Sequence, residues 1–187
     1  MSKLHPQTLA IRASKEQTPF NEHQQALFLT SSFMADSAAD AAAIFAKTKE
    51  GYTYSRTANP TIAAFQKRIA ALENAEAGIA TATGMAAIQA ALLTFLSAGD
   101  HLVSSRSLFG TTAGLLSGHI ARFGIEITFV SQTDVSEWEK AIRPNTKMLF
   151  LETPSNPLNE VADLEKLAKL AHDNGALLAV DNCFCSP

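Results

Sequence analysis

The chain has 187 residues, of which 47% are hydrophobic and 18% are charged, and its mean hydropathy is +0.04. This composition excludes a disordered segment, and the length suits a domain whose core needs no disulfide or metal. The formal net charge of −3 gives no electrostatic driving force for binding nucleic acid or an anionic membrane. Because the sequence has no signal-peptide core, no membrane-spanning run and only two cysteines, we expect a soluble cytoplasmic protein with reduced thiols.

The first 58 residues are predicted to be irregular apart from one helix, at roughly Ser37–Lys49, with Ser37 as its N-cap. A second helix is predicted from Pro60, because proline suits the first helical turn and Asn59 before it can cap the helix. Apolar residues then recur at helical spacing, which supports this second helix.

From Gly78 onward, short apolar runs alternate with helical segments. The predicted strands are Ile79–Ala82, His101–Ser104, Glu126–Val130, Met148–Leu151 and Leu177–Val180. The predicted helices are Met85–Leu96, Thr111–Phe123, Ser136–Ile142 and Ala162–Asn174. This alternation predicts a three-layer α/β fold, in which helices cover both faces of a mostly parallel sheet.

Ligands bind such sheets at the carboxyl ends of the strands, so the loops that follow the strands are the places to expect chemistry. These loops are Thr83–Met85, Ser105–Gly110, Ser131–Asp134, Glu152–Asn159 and Asp181–Pro187.

Two segments could bind a phosphate group. Thr83, Gly84 and Met85 follow a predicted strand and begin an apolar helix, whose first amides and dipole favour an anion. An ordinary turn, in which the glycine permits close packing of helix and strand, is the alternative there.

Tyr54 and Arg56 alternate in an extended segment and so project to one side, where a guanidinium can bind a phosphate. A solvated arginine in a surface turn is the alternative. Neither a dinucleotide fingerprint nor a Walker loop is present, so a generic nucleotide-binding domain is poorly supported.

Three residues that follow strands could make further ligand contacts. Phe109 could stack on a flat heteroaromatic ligand, or it could pack in the core. Asn156 lies between Pro154 and Pro157, in a rigid loop that either directs its amide to a ligand oxygen or simply leads into a helix. Asp181 ends an apolar strand, where an unpaired carboxylate is costly. It therefore needs a cationic partner, which a cofactor could supply, or it is a structural aspartate at a strand end.

The order and spacing of these segments resemble the Cys/Met-metabolism family of pyridoxal-phosphate enzymes, from about Thr8 to the last residue. The motifs that carry the resemblance are Tyr54-Ser-Arg56, Asn59-Pro-Thr61, Thr83-Gly-Met-Ala-Ala87, Leu108-Phe-Gly110, Glu152-Thr-Pro-Ser-Asn-Pro157 and Val180-Asp-Asn182. The resemblance implies an incomplete large domain of a fold-type I PLP-dependent transferase. It also implies that residues 1–58 form an N-terminal arm with intersubunit contacts and that residues 59–187 begin the PLP-binding α/β domain.

The resemblance further implies that pyridoxal 5'-phosphate is the cofactor. In this family, Gly84 and Met85 correspond to backbone donors to the cofactor phosphate. Tyr54 and Arg56 correspond to the pair that reaches the phosphate of the neighbouring subunit's cofactor. The family forms dimers of dimers with shared active sites, so a homo-oligomer is expected.

The same resemblance assigns roles at the cofactor ring. Phe109 stands at the ring-stacking position, and Asn156 corresponds to the residue near the phenolic oxygen. Asp181 corresponds to the carboxylate that faces the pyridine nitrogen and keeps it protonated, so that the ring can accept electrons from a substrate carbanion. Asp181 and Phe109 are therefore the expected catalytic residues, and no metal is expected.

Two departures from the family's common pattern bear on the substrate. Phe109 stands where many members have tyrosine, and Cys183 follows Asp-Asn where many have threonine. In both respects the chain is similar to members that act as O-succinylhomoserine sulfhydrylases, in which sulfide replaces succinate to give homocysteine for methionine biosynthesis. An enzyme of the cystathionine γ-synthase or methionine γ-lyase type is the alternative within the family.

The family's Schiff-base lysine follows the aspartate at a point beyond Pro187, and no lysine of this chain replaces it by position. We therefore expect this chain to be the first part of a longer enzyme, truncated before that lysine and inactive by itself. A non-catalytic fragment that needs a partner chain is the alternative.

Overall fold

The structure is a computed structural model that describes residues 4–13, 18–185 and 187. The chain divides into two compact units, of which the first extends to Ala80 and the second begins at Thr81. The first unit contains α1 (Pro6–Arg12), α2 (Ala38–Phe45) and α3 (Pro60–Leu72). The second contains α4 (Gly84–Phe95), β1 (His101–Ser105), α5 (Gly110–Gly114), a π-helical segment (Leu115–Ile120), β2 (Glu126–Val130), α6 (Val135–Ala141), β3 (Thr146–Glu152), α7 (Leu164–Asp173) and β4 (Leu177–Asp181). The predicted division into a 1–58 arm and a 59–187 domain stays a prediction.

The helices of the first unit begin at side chains that cap their free amides. The Ser37 hydroxyl accepts a hydrogen bond from the Asp40 amide, and the Asn59 side chain accepts one from the Thr61 amide, which confirms both predicted caps. The expectation of a single helix before residue 59 is wrong, because α1 also forms there. Its signal is local: His5 caps it and Pro6 begins it, but it buries no residue and so has no apolar pattern to detect.

The second unit is built on four strands that pair only in parallel, in the order β2-β1-β3-β4. This confirms the predicted parallel sheet and four of its predicted strands. The predicted strand Ile79–Ala82 is wrong: these residues are not in a strand, and the Ile79 side chain is 87% exposed. An apolar run becomes a strand only where a neighbouring strand accepts its backbone hydrogen bonds, and the described residues provide none for it.

The core of this unit lies on both faces of the sheet, because successive side chains of a strand point to opposite faces. Along β3, Met148 and Phe150 pack in one apolar cluster with α4 and the π-helical segment. Leu149 and Leu151 pack in the other with α6 and α7, around the fully buried Trp138. The predicted three layers are therefore confirmed.

The strand order also fixes where loops diverge. From β1 the chain moves to β2 on one side, whereas from β3 it moves to β4 on the other. Right-handed crossovers then place the helix after β1 and the helix after β3 on opposite faces, as observed. At the carboxyl ends of β1 and β3, the loops that follow these two strands therefore run in opposite directions and leave a crevice between them. Open α/β sheets bind ligands at this position.

One predicted helix has a different geometry in the structure. The predicted helix Thr111–Phe123 is present as α5 followed by the π-helical segment, because apolar spacing does not distinguish an α turn from a π turn. No helix in the described ranges is long and apolar enough to cross a membrane.

Candidate functional site

A cavity of about 620 Å³ opens in the second unit, where α4 begins and where β3 and β4 end. Its lining includes Gly84, Met85, Phe109, Asn156 and Asp181. The structure therefore brings together, around one cavity, every residue of the second unit that the sequence nominated as a site residue.

The start of α4 presents unpaired amides to this cavity. The Thr83 hydroxyl caps the helix by accepting a hydrogen bond from the Ala86 amide at 3.1 Å. The amides of Gly84 and Met85 have no acceptor within the helix, so they remain available to an anion at the positive end of the helix dipole. A Cβ built on Gly84 meets no atom within 4 Å, so the alternative that this glycine permits close packing is not supported.

Phe109 lies beside the cavity and not in the core. Its side chain is 47% exposed, and it lines the cavity immediately before α5. One turn into α5, the buried Thr112 hydroxyl lies 3.8 Å from the Met85 sulfur, a contact that joins the start of α5 to the start of α4. The aromatic ring is therefore presented on a supported loop, where a flat ligand can stack on it.

Asn156 lies on a loop that is held by hydrogen bonds of the buried residue Ser155. The Ser155 side chain is fully buried, and its hydroxyl accepts a hydrogen bond from the Glu160 amide at 3.1 Å. The Ser155 amide in turn donates to the Glu160 carbonyl. The peptide bonds before Pro154 and Pro157 are both cis. Asn156 itself is half-buried and lines the cavity.

Glu152 is a site residue that was not predicted from the sequence. Its side chain is 2% exposed and lines the cavity at the end of β3. One carboxylate oxygen accepts a hydrogen bond from the Phe109 amide at 2.8 Å, and the other accepts one from the Asn156 amide at 3.0 Å. The signal was present in the sequence, because Glu152 ends an apolar strand just as Asp181 does.

Asp181 is half-buried at the end of β4, where it pairs in register with Glu152. Its carboxylate accepts a hydrogen bond from the Cys183 amide at 3.1 Å. Burial, and next the neighbouring Asp181 carboxylate, raise the pKa of the Cys183 thiol, so this thiol stays neutral. Among the described residues of the second unit, no lysine or arginine forms an ion pair with Asp181. Two carboxylates at adjacent strand ends thus favour a ligand with a positive charge there.

Tyr54 and Arg56 belong to the first unit. The sequence predicted an extended segment, but residues 55–57 form a turn, in which the Tyr54 carbonyl accepts from the Thr57 and Ala58 amides. The two side chains nevertheless lie together, since the Arg56 guanidinium carbon is 4.8 Å from the centre of the Tyr54 ring. Both side chains are exposed.

One of the five nominated loops, Ser131–Asp134, does not line the cavity. It follows β2, which lies on the far side of β1 from β3. Its Gln132 side chain is buried, accepting from the Ser105 hydroxyl and donating to the Glu160 carbonyl. This loop therefore has a structural role beside the site.

A parallel α/β domain with a cavity at its strand ends has the architecture in which open α/β sheets bind ligands. The chain belongs to the family described as Cys/Met metabolism PLP-dependent enzymes, whose sequence model matches residues 7–187. It is 53% identical over 180 residues to an O-succinylhomoserine sulfhydrylase of Pseudomonas aeruginosa, covering 96% of this chain and 45% of that protein. It is 42% identical over 181 residues to an L-methionine gamma-lyase of Fusobacterium nucleatum subsp. polymorphum, covering 96% and 46%.

A solved structure shares the same fold. It is a protein of Campylobacter jejuni subsp. jejuni assigned as an O-acetylhomoserine (thiol)-lyase, with an N'-pyridoxyl-lysine-5'-monophosphate group. The TM-score is 0.91 at 32% identity, over 96% of this chain and 44% of that one. The chain thus spans about half the length of the curated relatives and the structure that it matches.

Proposed function

We propose that the cavity binds pyridoxal 5'-phosphate. The observation that carries this proposal is the convergence, around one cavity, of a helix start with free amides, an exposed aromatic ring and a carboxylate that forms no ion pair with a described lysine or arginine of the second unit. These groups match the phosphate, the flat ring and the protonated ring nitrogen of the cofactor, respectively. Membership of a PLP-dependent family supports the same conclusion.

Each residue has a part in this proposal. The amides of Gly84 and Met85 would bind the phosphate, Phe109 would stack on the ring, and the Asn156 side chain would contact the phenolic oxygen. Asp181 would hold a proton on the ring nitrogen. When bound, pyridoxal 5'-phosphate supplies an electron-accepting ring that stabilises a carbanion on an amino-acid substrate. Because Phe109 has no hydroxyl, it can orient the ring but cannot transfer a proton.

For the whole protein we propose γ-replacement on O-succinylhomoserine by sulfide, which gives homocysteine. The relative with this name at 53% identity supports it, as do Phe109 and Cys183, the two departures from the family's common pattern. The L-methionine gamma-lyase relative at 42% identity keeps methionine cleavage as the second candidate. In the homo-oligomer that we propose, a dimer of dimers, Tyr54 and Arg56 reach the phosphate of a neighbouring subunit's cofactor. The cytoplasmic location stays a prediction.

Equilibrium dialysis of pyridoxal 5'-phosphate against the 187-residue chain tests the cofactor proposal. The unmodified chain should bind one equivalent, and Asp181→Asn should bind more weakly because the neutral amide no longer stabilises the protonated ring nitrogen. Asp134→Asn is the matched control, since Asp134 caps α6 and does not line the cavity. Equal affinity in all three proteins would contradict the role of Asp181.

The substrate proposal needs the full-length enzyme, supplied in separate reactions with O-succinylhomoserine plus sulfide and with methionine. The proposal predicts homocysteine and succinate in the first reaction at a higher kcat/KM than methionine consumption in the second. A higher kcat/KM for methionine cleavage would instead support the lyase.

A further inference from the structure

We propose that Glu152 is a positioning residue, which fixes the Phe109 ring and the Asn156 side chain at their places around the cofactor. This inference rests on the proposed function, because it assigns Glu152 a role in the same cavity. Its basis is a single buried carboxylate whose two oxygens bind the backbone amides of two different loops.

The two loops that Glu152 joins leave the sheet in different directions. The Phe109 loop follows β1 and leads into α5, while the Asn156 loop follows β3 and leads towards α7. Since these connections pass to opposite faces of the sheet, the backbone ladder alone does not fix one loop against the other. A bridge between their amides supplies that constraint.

The bridge acts on backbone atoms, so it sets the direction of each side chain at its Cα. Phe109 is half-exposed and Asn156 is half-buried, and neither side chain is held by a described side-chain hydrogen bond. Their positions therefore depend on where the backbone lies. Glu152 also pairs in register with Asp181. The neighbouring ends of β3 and β4 therefore carry two carboxylates: the one that fixes the Phe109 and Asn156 loops, and the one of Asp181.

The two oxygens of the Glu152 side chain suit it to this bridge. A carboxylate accepts hydrogen bonds at both oxygens, and such charge-assisted bonds are the stronger kind. The glutamine side chain has the same shape but replaces one oxygen with a donor. It can satisfy only one of the two amides and opposes the other, so one loop loses its connection.

Glu137, in the first turn of α6, provides a matched control in the same unit. Its carboxylate also accepts a hydrogen bond from a loop amide, that of Ser131 at 2.8 Å, and pairs with Arg106 at 2.9 Å. The Ser131 loop does not line the cavity. Glu137→Gln therefore perturbs a comparable carboxylate–amide contact without moving a cofactor-binding side chain.

The test combines two measurements on the isotopically labelled 187-residue chain. In the unmodified chain without cofactor, NMR should detect couplings through the hydrogen bonds from the Phe109 and Asn156 amide nitrogens to the Glu152 carboxyl carbon. In Glu152→Gln, both amide resonances should shift together, and the affinity for pyridoxal 5'-phosphate should fall roughly tenfold or more as the stacking contact is misplaced. Glu137→Gln should keep the affinity of the unmodified chain.

The outcomes separate this inference from the proposed function. If the unmodified chain binds no cofactor, the proposed function fails while the couplings still decide whether the bridge exists. Absent couplings, or an unchanged cofactor affinity in Glu152→Gln, would overturn the positioning role. An equal loss of affinity in Glu137→Gln would overturn it too, because the effect would then be one of general stability. Should Glu152→Gln not fold, Glu152→Asp replaces it. The aspartate side chain is one methylene too short to reach both amides, so the hydrogen bond to one amide and the affinity for the cofactor should be lost together.

Discussion

Lowering the pH should destabilise the second unit through His101, which is fully buried at the start of β1. Its ring nitrogens lie 2.8 Å from the Thr146 hydroxyl and 2.9 Å from the Thr128 hydroxyl. Both hydroxyls also accept hydrogen bonds from Arg143. Burial, and then the charge of Arg143, lower the pKa of His101 below its ordinary value of 6.5, so the fold favours the neutral ring.

The direction of the effect follows from proton linkage. Above pH 6.5 the ring is neutral in both states, so its contribution to stability is fully present. As the pH falls from 6.5 towards the lowered pKa of the folded state, only the unfolded chain takes up the proton. Through this one group, the free energy of unfolding should then decrease by up to about 1.4 kcal/mol per pH unit.

Urea unfolding followed by the fluorescence of Trp138, the only tryptophan, measures this at a series of pH values from 8 to 5. His101→Gln should remove the histidine's part of the slope, because the amide does not titrate. His119→Gln is the control, since His119 is exposed, and it should leave the slope unchanged. If His101→Gln lost stability with falling pH as steeply as the unmodified chain, the His101 ring would not be a source of the pH dependence.

Two further predictions concern the cavity. Thr83→Ala should lower the free energy of unfolding by about 1 kcal/mol because the Ala86 amide loses its cap, whereas Thr94→Ala, near the other end of α4, should have little effect in the same urea assay. Asp181→Asn should increase the rate at which iodoacetamide alkylates Cys183 at pH 8, because removing the carboxylate removes one of the causes that raise the thiol pKa. Mass spectrometry of the peptide that contains Cys183 measures this rate. An unchanged rate would show that the contact with Asp181 is unimportant.

Much of the second unit was predictable because its local signals agree with its packing. The runs around Leu102, Phe129 and Leu149 are short, apolar and bounded by turn residues, and they form β1, β2 and β3, of which β1 is buried throughout. The caps at Ser37 and Asn59 were equally visible, because a cap is a contact between residues two or three positions apart. Such features need no knowledge of distant partners.

The sequence-based predictions fail where a structure depends on partners far along the chain, or on contacts that any residue type can make. Ile79–Ala82 has a strand-like sequence, but a strand also needs a neighbour, which the sequence window does not contain. Glu152 was missed for a similar reason. Its partners are backbone amides 43 and 4 residues away, and any residue type can supply an amide. Asp181 was noticed only because its expected partner was a charge.

The start of α4 and the end of β4 are proposed to bind the two ends of one cofactor. The most direct measurement is an amide NMR titration of the 187-residue chain with pyridoxal 5'-phosphate. Binding at both ends of the cavity predicts saturable shifts of the Gly84 and Met85 amides together with those of Phe109 and Asp181. It also predicts that inorganic phosphate moves only the Gly84 and Met85 amides. Shifts confined to residues near exposed lysines, with the start of α4 unmoved, would contradict it.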